Sequence, residues 1–577
     1  MKNVIFIVID SFLFEKVGNC RFGQSPTPFL DSIKDCAVFV TNLYSQGPYT
    51  EAGNKALLTG ADSLLHGGYM HNLNQSKDIY LEVFKRSGYH TVEYFLPYYL
   101  YSNKDFKNID KQYFTSDFIF NSVWSNRLKH FRDVQLKEDL TEEDYQDIYT
   151  QLDLTFQAWE NFLENDTDEK YKFIKKVVSG YDFENNYGLL LKEKESFFNS
   201  PKEYAEKILE EGPAHALFSI QNVDYEKYVD FDFTNRCFYL QNKKLVNDIR
   251  RKQFLYNLKN NPISIKKLII SLFEKTNEYY RSIMFSLGAG FLTKQYKKGQ
   301  FSQSLPSCRA LLRGCLEDIK SFKGDNPLFI HVHPEDLHNR TSFLTYDICD
   351  KSLLEHEVSL MKDYITSINS SYKGEIVYDL ALLYIDDCIK ELFHGLEQMG
   401  KLKDFVIAIT SDHGYSYDCV PLRNNFVNNH HSENYHIPAI LFDGGVHKGD
   451  YSDYHTSKDV LPTIYELCGI DVPDTINGKS ILHDKGNNSY AISEYLGGGC
   501  PDMRRRPIQY MIRNKEWLLV YYVKLFDDFE TGEIVELYNL KEDPQELNNL
   551  SRAYERGKVQ PLLDALKEHH KYLQNNQ

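Results

Sequence analysis

The chain has 577 residues, of which 42% are hydrophobic and 14% aromatic, so it can bury a large apolar interior and is long enough for two or three structural units. Its net charge of −16 excludes non-specific nucleic-acid binding, which needs a basic surface, and disfavours attraction to anionic lipids. An anionic substrate would therefore need a locally positive site, built from a metal ion, arginine or histidine.

Residues 1–100 alternate strand and helix signals. Residues 4–9 form a continuous apolar run rich in valine and isoleucine, which predicts a strand buried on both faces, and Asp10 follows it directly. Residues 47–60, GPYTEAGNKALLTG, combine a turn, a hydroxyl residue and a helix. This arrangement can present Thr50 as a nucleophile at a helix N-terminus, where the helix dipole favours anions.

Residues 101–320 have a different character, because they are rich in Lys, Glu, Asp, Tyr and Phe and contain few strand signals. Helical periodicity is clear at residues 142–162 and 265–285. We interpret this segment as a mainly helical insertion that covers the sheet edge. The alternative is a surface elaboration without a role in substrate binding.

The alternation of strands and helices resumes at residue 327. The later predicted elements are a strand at 327–333, a helix at 372–399, strands at 405–409 and 438–442, two further strands at 509–513 and 517–522, and a terminal helix. The chain thus divides into the first part of a core at 1–100, the insertion at 101–320, the second part of the core at 321–490 and a C-terminal subdomain at 491–577.

Two buried strands end in acidic residues. Asp10 follows the run at 4–9, and the run at 405–409 is followed closely by Asp412 and His413. Ligands bind at the carboxyl ends of parallel strands in open α/β sheets, so two acids and an imidazole at that edge predict a metal site. An Asp after an apolar run can equally be a helix N-cap or a turn residue.

Ordered motifs along the chain resemble those of the sulfatases. They are TPFLD at 27–31, LLTG at 57–60 with HG at 66–67, SDHG at 411–414, DVLPTI at 459–464 with CGI at 468–470 and GKS at 478–480, and ELYNL at 536–540 with DP at 543–544 and ELNNL at 546–550. The resemblance to the sulfatase and alkaline phosphatase superfamily implies an α/β fold. The expected architecture is an alkaline-phosphatase-like three-layer sandwich with a mostly parallel central sheet, a helical insertion and a small α+β C-terminal subdomain.

One departure from the sulfatase pattern changes the expected chemistry. Sulfatases carry a Cys or Ser that becomes formylglycine, followed by x-Pro-x-Arg, but this chain has Thr50, Ala52 and Asn54 at those positions. Threonine cannot yield the formylglycine aldehyde. The chain is instead similar to the branch with a threonine nucleophile, the phosphoethanolamine and phosphoglycerol transferases.

We predict that Asp10, Thr50, Asp412 and His413 surround one divalent metal ion. Two carboxylates and an imidazole suit zinc or manganese, with magnesium or calcium as further possibilities. A metal ion can activate a hydroxyl, because it lowers the pKa of a bound oxygen. Thr50 would then attack phosphorus in line and form a phosphothreonine.

Histidines near these motifs are candidates for contacts with the phosphoryl group. His338 follows a strand and resembles a phosphate-contacting histidine of the threonine branch, so we assign it to catalysis and substrate binding. His430 and His431 follow the His413 segment and could bind phosphate, and His431 could protonate the leaving group. Asn54, at the position of the sulfatase Arg, is the fourth predicted substrate contact.

Other residues carry open alternatives. His455 could serve a second metal ion or be a core residue, and His331 and His333 alternate on a strand as packing residues do. Ser11 stands where sulfatases usually place a second acid, which favours one metal ion. The arginines at 504–506 could bind an anionic donor or form a solvated face.

We therefore predict a metal-dependent phosphotransferase or phosphodiesterase that acts on a small-molecule or glycan phosphoester. The alternatives are a sulfuric-ester hydrolase and a catalytically inactive binding module of the same fold. Ten cysteines without a CxxC pair indicate reduced thiols. Because neither a signal peptide nor a run of ~20 apolar residues is visible, we predict a cytoplasmic protein without an integral membrane segment.

Overall fold

The structure is a computed structural model that describes residues 1–20, 23–68, 73, 75–97, 107–116, 128–164, 183–219, 308–338, 351–368, 376–415, 430–483, 486, 488–497 and 502–577. The helix predicted at residues 142–162 is present as Glu142–Glu164. The helix predicted at residues 265–285 lies outside the described residues.

Nine strands of the described residues form one central sheet. Its strands are β1 (Asn3–Val8), β2 (Val38–Tyr44), β3 (His90–Pro97), β4 (Lys111–Ser116), β5 (Leu328–Val332), β6 (Phe405–Thr410), β7 (His436–Phe442), β8 (Gly449–Tyr451) and β9 (His455–Thr456). The order is β4-β3-β5-β1-β6-β7-β2-β8, with β9 also paired to β2. Only β7 runs antiparallel to its neighbours, β6 and β2, among these strands. The predicted α/β class and mostly parallel sheet are therefore confirmed.

Fourteen α-helices are assigned within the described ranges. They are α1 (Pro28–Ile33), α2 (Thr50–Thr59), α3 (Tyr80–Arg86), α4 (Lys129–Gln135), α5 (Glu142–Glu164), α6 (Phe183–Asn199), α7 (Pro201–Glu211), α8 (Ala216–Ser219), α9 (Cys308–Ser321), α10 (Lys351–Ser367), α11 (Ile376–Gln398), α12 (Ser432–Tyr435), α13 (Val460–Cys468) and α14 (Arg556–Asn575). Each of them is too short or too polar to cross a membrane.

Helices cover both faces of the central sheet, which explains why β1 is apolar from Val4 to Val8. Ile5 and Ile7 point into a core shared with α1, α9, α10 and α11. Val4, Phe6 and Val8 point to the opposite face, into a core shared with α2, α3 and α13. Successive residues of a strand point to opposite faces, so a strand between two helical layers needs apolar residues at every position.

The segment at 101–320 contributes one strand to the central sheet and one helix to a core beside it. Strand β4 pairs in parallel with β3 at the sheet edge, and α9 packs with β5 and α11 in one of the two cores. The other described elements of this segment, α4 to α8, are all helical. The exact division of the chain at residues 100 and 320 stays a prediction.

The arginine run at 504–506 is largely committed to acidic partners in the helical segment. Arg505 Nη1 donates to Asp144 Oδ1 at 2.7 Å, and Arg504 Nη2 donates to Asp147 Oδ2 at 2.7 Å. Asp144 is fully buried. Hydrogen bonds from Arg505 and from Thr141 outweigh the effect of burial and lower the pKa of Asp144 to about 2. These ion pairs anchor α5 to the loop that precedes Pro507 in the C-terminal subdomain, so this face is not simply solvated.

The C-terminal subdomain is a small α+β unit, as predicted. Its antiparallel strands are β10 (Ala491–Tyr495), β11 (Pro507–Arg513), β12 (Trp517–Lys524) and β13 (Glu533–Asn539), in sequential order. Leu562 and Leu566 of α14 share a buried cluster with Ile508 and Leu519 of the sheet. The terminal helix thus covers one face of this second sheet.

Candidate metal and nucleophile site

The carboxyl ends of two neighbouring parallel strands bring the predicted acids together. Strands β1 and β6 are paired in register, and the Ile9 N–H donates to Thr410 O at 2.9 Å just beyond β1. Asp10 and Asp412 follow at this edge, and their exposed fractions are 3% and 0%. Both predicted acids are therefore buried at one edge of the sheet, where a buried charge needs a partner.

A third strand adds a histidine that the sequence did not single out. His333 follows β5, which flanks β1 on its other side, and the next residue, Pro334, accepts the Asp10 N–H at 3.1 Å. Ligand atoms of Asp10, His333 and Asp412 all lie within 4.8 Å of one another. His333 was predicted to be a packing residue, but the structure places its side chain at the candidate metal site.

Unpaired polar atoms show that these residues fit a divalent cation. Asp412 Oδ2 and His333 Nε2 are buried and make no hydrogen bond within the part of the chain that the structure describes. His413 Nδ1 bonds to the Gly414 carbonyl at 2.6 Å, and because a carbonyl only accepts, Nδ1 carries the proton. The Nε2 atom of His413 points inward, 3.5 Å from Asp10 Oδ1.

The pKa of Asp412 indicates negative charge that the surrounding residues do not compensate. Burial raises the pKa of Asp412, and the nearby Asp10 carboxylate raises it further. Burial would also raise the pKa of Asp10, but interactions with His338 and His333 outweigh it and hold that pKa well below its usual value. A cation between the two carboxylates would neutralise the charge that raises the Asp412 pKa.

Thr50 is the first residue of α2 and its side chain reaches the acidic cluster. Its Oγ1 donates to Asp10 Oδ2 at 3.3 Å and lies 3.4 Å from His413 Nε2. The helix can approach this closely because residue 53 is Gly53. A Cβ added there would stand 2.0 Å from the backbone oxygen of Asp412. The glycine of TEAGN is the signal for this contact in the sequence, because helix propensity alone disfavours a glycine inside a helix.

Ser11 occupies the position of the second sulfatase acid and bridges the two carboxylates. Its Oγ donates to Asp10 Oδ1 at 2.6 Å, and its N–H donates to Asp412 Oδ1 at 3.2 Å. Its φ of +66° lies in the left-handed region, which is uncommon for serine. Ser11 therefore orients both acids and supplies no third carboxylate.

Asn54 and His338 lie where a substrate anion could meet them. Asn54 is 1% exposed, and neither of its amide atoms has a hydrogen-bond partner among the described residues. It is four residues after Thr50 in α2, so both side chains lie on one face of the helix. His338 is half exposed, and the Asp10 carboxylate 3.4 Å from its Nδ1 raises its pKa to about 9.

The geometry of the remaining histidines gives less support to the predicted roles. Both ring nitrogens of His430 meet tyrosine hydroxyls, of Tyr435 at 3.3 Å and Tyr522 at 3.2 Å, and burial lowers its pKa to about 4. This geometry does not support substrate binding by His430. His431 Nδ1 bonds to Glu546 Oε2 at 3.1 Å, so its catalytic role stays a prediction.

His455 and His331 are core residues in this structure. His455 is 1% exposed, and its Nδ1 lies 3.8 Å from Asp459 Oδ2. His331 bonds to the buried Glu93 at 2.7 Å. The prediction of packing therefore holds for His331, whereas the neighbouring His333 belongs to the strand-edge site. The signal for His333 was its place directly after β5, which is the same rule that identified the two acids.

Comparisons with known proteins agree with this geometry. The sulfatase family model matches residues 2–470, and the model for the C-terminal region of N-sulphoglucosamine sulphohydrolase matches residues 430–576. An N-acetylglucosamine-6-O-sulfatase of Bacteroides thetaiotaomicron is 26% identical over 221 residues, which cover 34% of this chain and 36% of that protein. The multifunctional alkaline phosphatase superfamily protein PehA of Trinickia caryophylli is 27% identical over 191 residues, 29% of this chain and 34% of that protein.

The matched part spans about a third of the length of these curated relatives. Among solved structures, a phosphonate monoester hydrolase of Agrobacterium radiobacter superposes with a TM-score of 0.50 at 13% identity, covering 99% of this chain and 96% of that one. This likeness shows a shared fold. Since the family model extends over most of the chain, the protein belongs to the sulfatase family, within the alkaline phosphatase superfamily.

Proposed function

We propose that this protein is a metal-dependent phosphoester transferase or hydrolase whose nucleophile is the Thr50 hydroxyl. The observation that carries the proposal is the position of that hydroxyl, within 3.4 Å of both Asp10 and His413 at the N-terminus of α2. Threonine cannot be converted to the formylglycine on which sulfatases rely. Attack by an unmodified hydroxyl on phosphorus is the chemistry that this residue type supports best.

One divalent metal ion, zinc or manganese, is the proposed cofactor. Asp10, Asp412 and His413 would hold it, with His333 as a further ligand and the Thr50 hydroxyl beside them. When bound, such a cation favours the deprotonated form of a nearby hydroxyl and stabilises charge on phosphoryl oxygens.

The protein's own residues orient the reacting groups. Asp10 accepts the hydrogen bond from Thr50 Oγ1 and so directs the oxygen lone pairs toward phosphorus. The bond from Thr50 Oγ1 to phosphorus forms as the bond to the leaving oxygen breaks, and the threonine proton ends on the departing alcohol. Water or an acceptor hydroxyl then attacks the phosphothreonine and restores the Thr50 hydroxyl.

His338 and Asn54 are the proposed contacts for the phosphoryl oxygens. The half-exposed ring of His338 has its Nδ1 3.4 Å from the Asp10 carboxylate, so it lies beside the nucleophile site and can reach a substrate. Asn54 offers an amide donor without another partner among the described residues. A phosphoglycerol or phosphoethanolamine donor and a glycan acceptor are the substrates that the threonine branch suggests.

Sulfuric-ester hydrolysis is the second candidate function. It is favoured by the family itself and by the relative from Bacteroides thetaiotaomicron, which is an N-acetylglucosamine-6-O-sulfatase. In this case Thr50 would act unmodified on sulfur or only orient a water molecule.

The test compares the wild type with Thr50→Ala, each loaded with manganese or zinc, on an aryl phosphodiester, an aryl phosphomonoester and an aryl sulfate. Thr59→Ala is the matched control, because Thr59 is the last residue of the same helix and its hydroxyl bonds only backbone in the described contacts. We expect diester cleavage that Thr50→Ala lowers at least about a thousandfold, as for other nucleophile deletions, and that the control retains. Sulfate cleavage without diester cleavage would favour the second candidate.

A further inference from the structure

Glu546 is a buried carboxylate of the C-terminal subdomain whose contacts lead to the metal site. It lies in the loop after β13 and is 4% exposed. Its φ of +55° is in the left-handed region, which a glutamate adopts only where its surroundings hold it. The unfavourable backbone conformation indicates that the position of this carboxylate matters to the fold around it.

Contacts from His431, Ser432 and Arg513 converge on the Glu546 carboxylate. Oε2 accepts the Ser432 N–H at 2.9 Å and lies 3.1 Å from His431 Nδ1. Oε1 accepts from Arg513 Nη1 at 2.8 Å and from the Ser432 hydroxyl. Burial would raise the pKa of Glu546, but His431 and Arg513 outweigh it and lower the pKa to about 2. The group is therefore an anion that caps the start of α12.

Helix α12 in turn holds the loop that follows the metal ligands. The Asn434 carbonyl accepts the Gly414 N–H at 2.8 Å, and the Glu433 carbonyl accepts the Tyr415 N–H at 2.9 Å. The two segments are in direct contact, because a Cβ added at Gly414 would stand 2.0 Å from Glu433 O. A shift of α12 therefore moves the peptide at Gly414.

The Gly414 carbonyl fixes the orientation of the His413 ring. This carbonyl accepts the Nδ1 proton of His413 at 2.6 Å, which leaves Nε2 facing Thr50 at 3.4 Å. A histidine ligand is oriented, and its tautomer chosen, by the partner of its other nitrogen. Contacts thus run without interruption from Glu546 through α12 and Gly414 to His413.

We propose that Glu546 is a positioning residue for the metal site: its carboxylate fixes α12, and α12 fixes the peptide that orients His413. The C-terminal subdomain would then complete the site without contributing an atom to it. The effect on turnover rests on the proposed function, whereas the effect on metal affinity does not.

The test is a calorimetric titration of chelator-treated protein with Mn²⁺ and Zn²⁺. Glu546→Gln keeps the side-chain size but removes the charge, and we expect the metal dissociation constant to rise about tenfold, the lower end of what changes outside the ligand shell cost. Ser432→Ala removes one donor to Glu546 and should give a smaller rise of about two- to threefold. Ser432→Ala is the variant on which the test relies if Glu546→Gln does not fold.

The matched control is Glu494→Gln. Glu494 is also fully buried and bonds a backbone N–H, of Leu64 at 2.9 Å, and a histidine, His569 at 2.5 Å. The Glu494→Gln substitution should lower the melting temperature and leave the metal affinity unchanged. Glu546→Gln with a lowered melting temperature but metal affinity within twofold of the wild type would overturn the proposal and leave Glu546 a structural residue. Weakened metal binding in a protein that cleaves no phosphoester would instead refute only the proposed function.

Discussion

Two buried clusters have the same composition but differ in what surrounds them. Each contains two carboxylates and one imidazole, with ligand atoms within 4.8 Å of one another. They are the strand-edge cluster (Asp10, His333 and Asp412) and the helix-dock cluster (Asp62, Glu494 and His569). The first lies at the carboxyl ends of parallel strands, whereas the second lies where α14 meets the core.

The carboxylates of the helix-dock cluster accept hydrogen bonds from neighbouring protein groups. Asp62 accepts from Lys458 Nζ at 2.5 Å and from Asn477 Nδ2 at 2.6 Å. The oxygens of Glu494 meet a backbone N–H and the ring of His569. In the strand-edge cluster, by contrast, Asp412 Oδ2 has no hydrogen-bond partner among the described residues. Composition alone therefore does not distinguish the two clusters, whereas the hydrogen bonds made to their carboxylate oxygens do.

The largest expected effect is on metal affinity, when one carboxylate of the strand-edge cluster is replaced by an amide. Asp412→Asn should weaken Mn²⁺ or Zn²⁺ binding by more than about a hundredfold, beyond the range of residues outside the ligand shell. In metal-free protein it should raise the melting temperature, because it removes a like charge beside Asp10. Calorimetric titration and thermal unfolding of the same samples measure both effects.

Asp62→Asn is the counterpart in the helix-dock cluster. It breaks a buried ion pair with Lys458 and should cost about 3 kcal/mol of unfolding free energy, without changing metal affinity. Equal loss of metal by both variants would show that the two clusters do not differ in the way their contacts indicate.

A smaller effect is expected from closing the gap between α2 and the metal loop. Gly53→Ala places a methyl group 2.0 Å from the Asp412 carbonyl oxygen, so the helix that carries Thr50 must move. A displacement of about 1 Å can cost on the order of a hundredfold in rate, and we expect kcat to fall more than metal affinity. Gly188→Ala in α6 is the control, since nothing lies within 4 Å of its added Cβ. Equal activity of both variants would contradict the close contact.

The smallest effect is a pH dependence confined to the helix-dock cluster. Burial and the nearby Lys458 cation lower the pKa of His569. The carboxylates of Asp62 and Glu494 outweigh both effects and raise this pKa above 6.5. Its stabilisation is therefore complete below pH ~6.5 and is lost as pH rises through the raised pKa, on the order of 1 kcal/mol per pKa unit. The difference in melting temperature between the wild type and His569→Gln should shrink as the pH rises above about 6.5. A constant difference would exclude a charged His569.

Sequence reasoning found the two acids because continuous apolar runs mark strands buried on both faces. It follows that Asp10 and Asp412 meet at one edge. Sequence reasoning missed the role of His333, because His331 and His333 alternate like packing residues of one strand until the end of β5 and its pairing with β1 are known. Strand β4 was missed for a related reason: at the sheet edge its sequence KQYFTS needs no apolar run.

Contacts between distant parts of the chain were beyond reach of the sequence. The ELNNL motif was visible, but Glu546 and His431 are 115 residues apart, and no local pattern indicates that they bond. The same holds for Asp144 and Asp147 of α5, which bond Arg505 and Arg504 and lie more than 350 residues earlier in the chain. Such pairs depend on how the subdomains dock, which short-range periodicity does not encode.

The most direct test of the central claim is to trap the covalent intermediate. Metal-loaded protein mixed with an aryl phosphodiester and quenched in acid should yield a peptide with the phosphoryl adduct on Thr50, detected by mass spectrometry, in the first turnover. The adduct should be absent from Thr50→Ala and present in Thr59→Ala. Rapid diester cleavage without an adduct on Thr50, or an adduct on another residue, would contradict a threonine nucleophile.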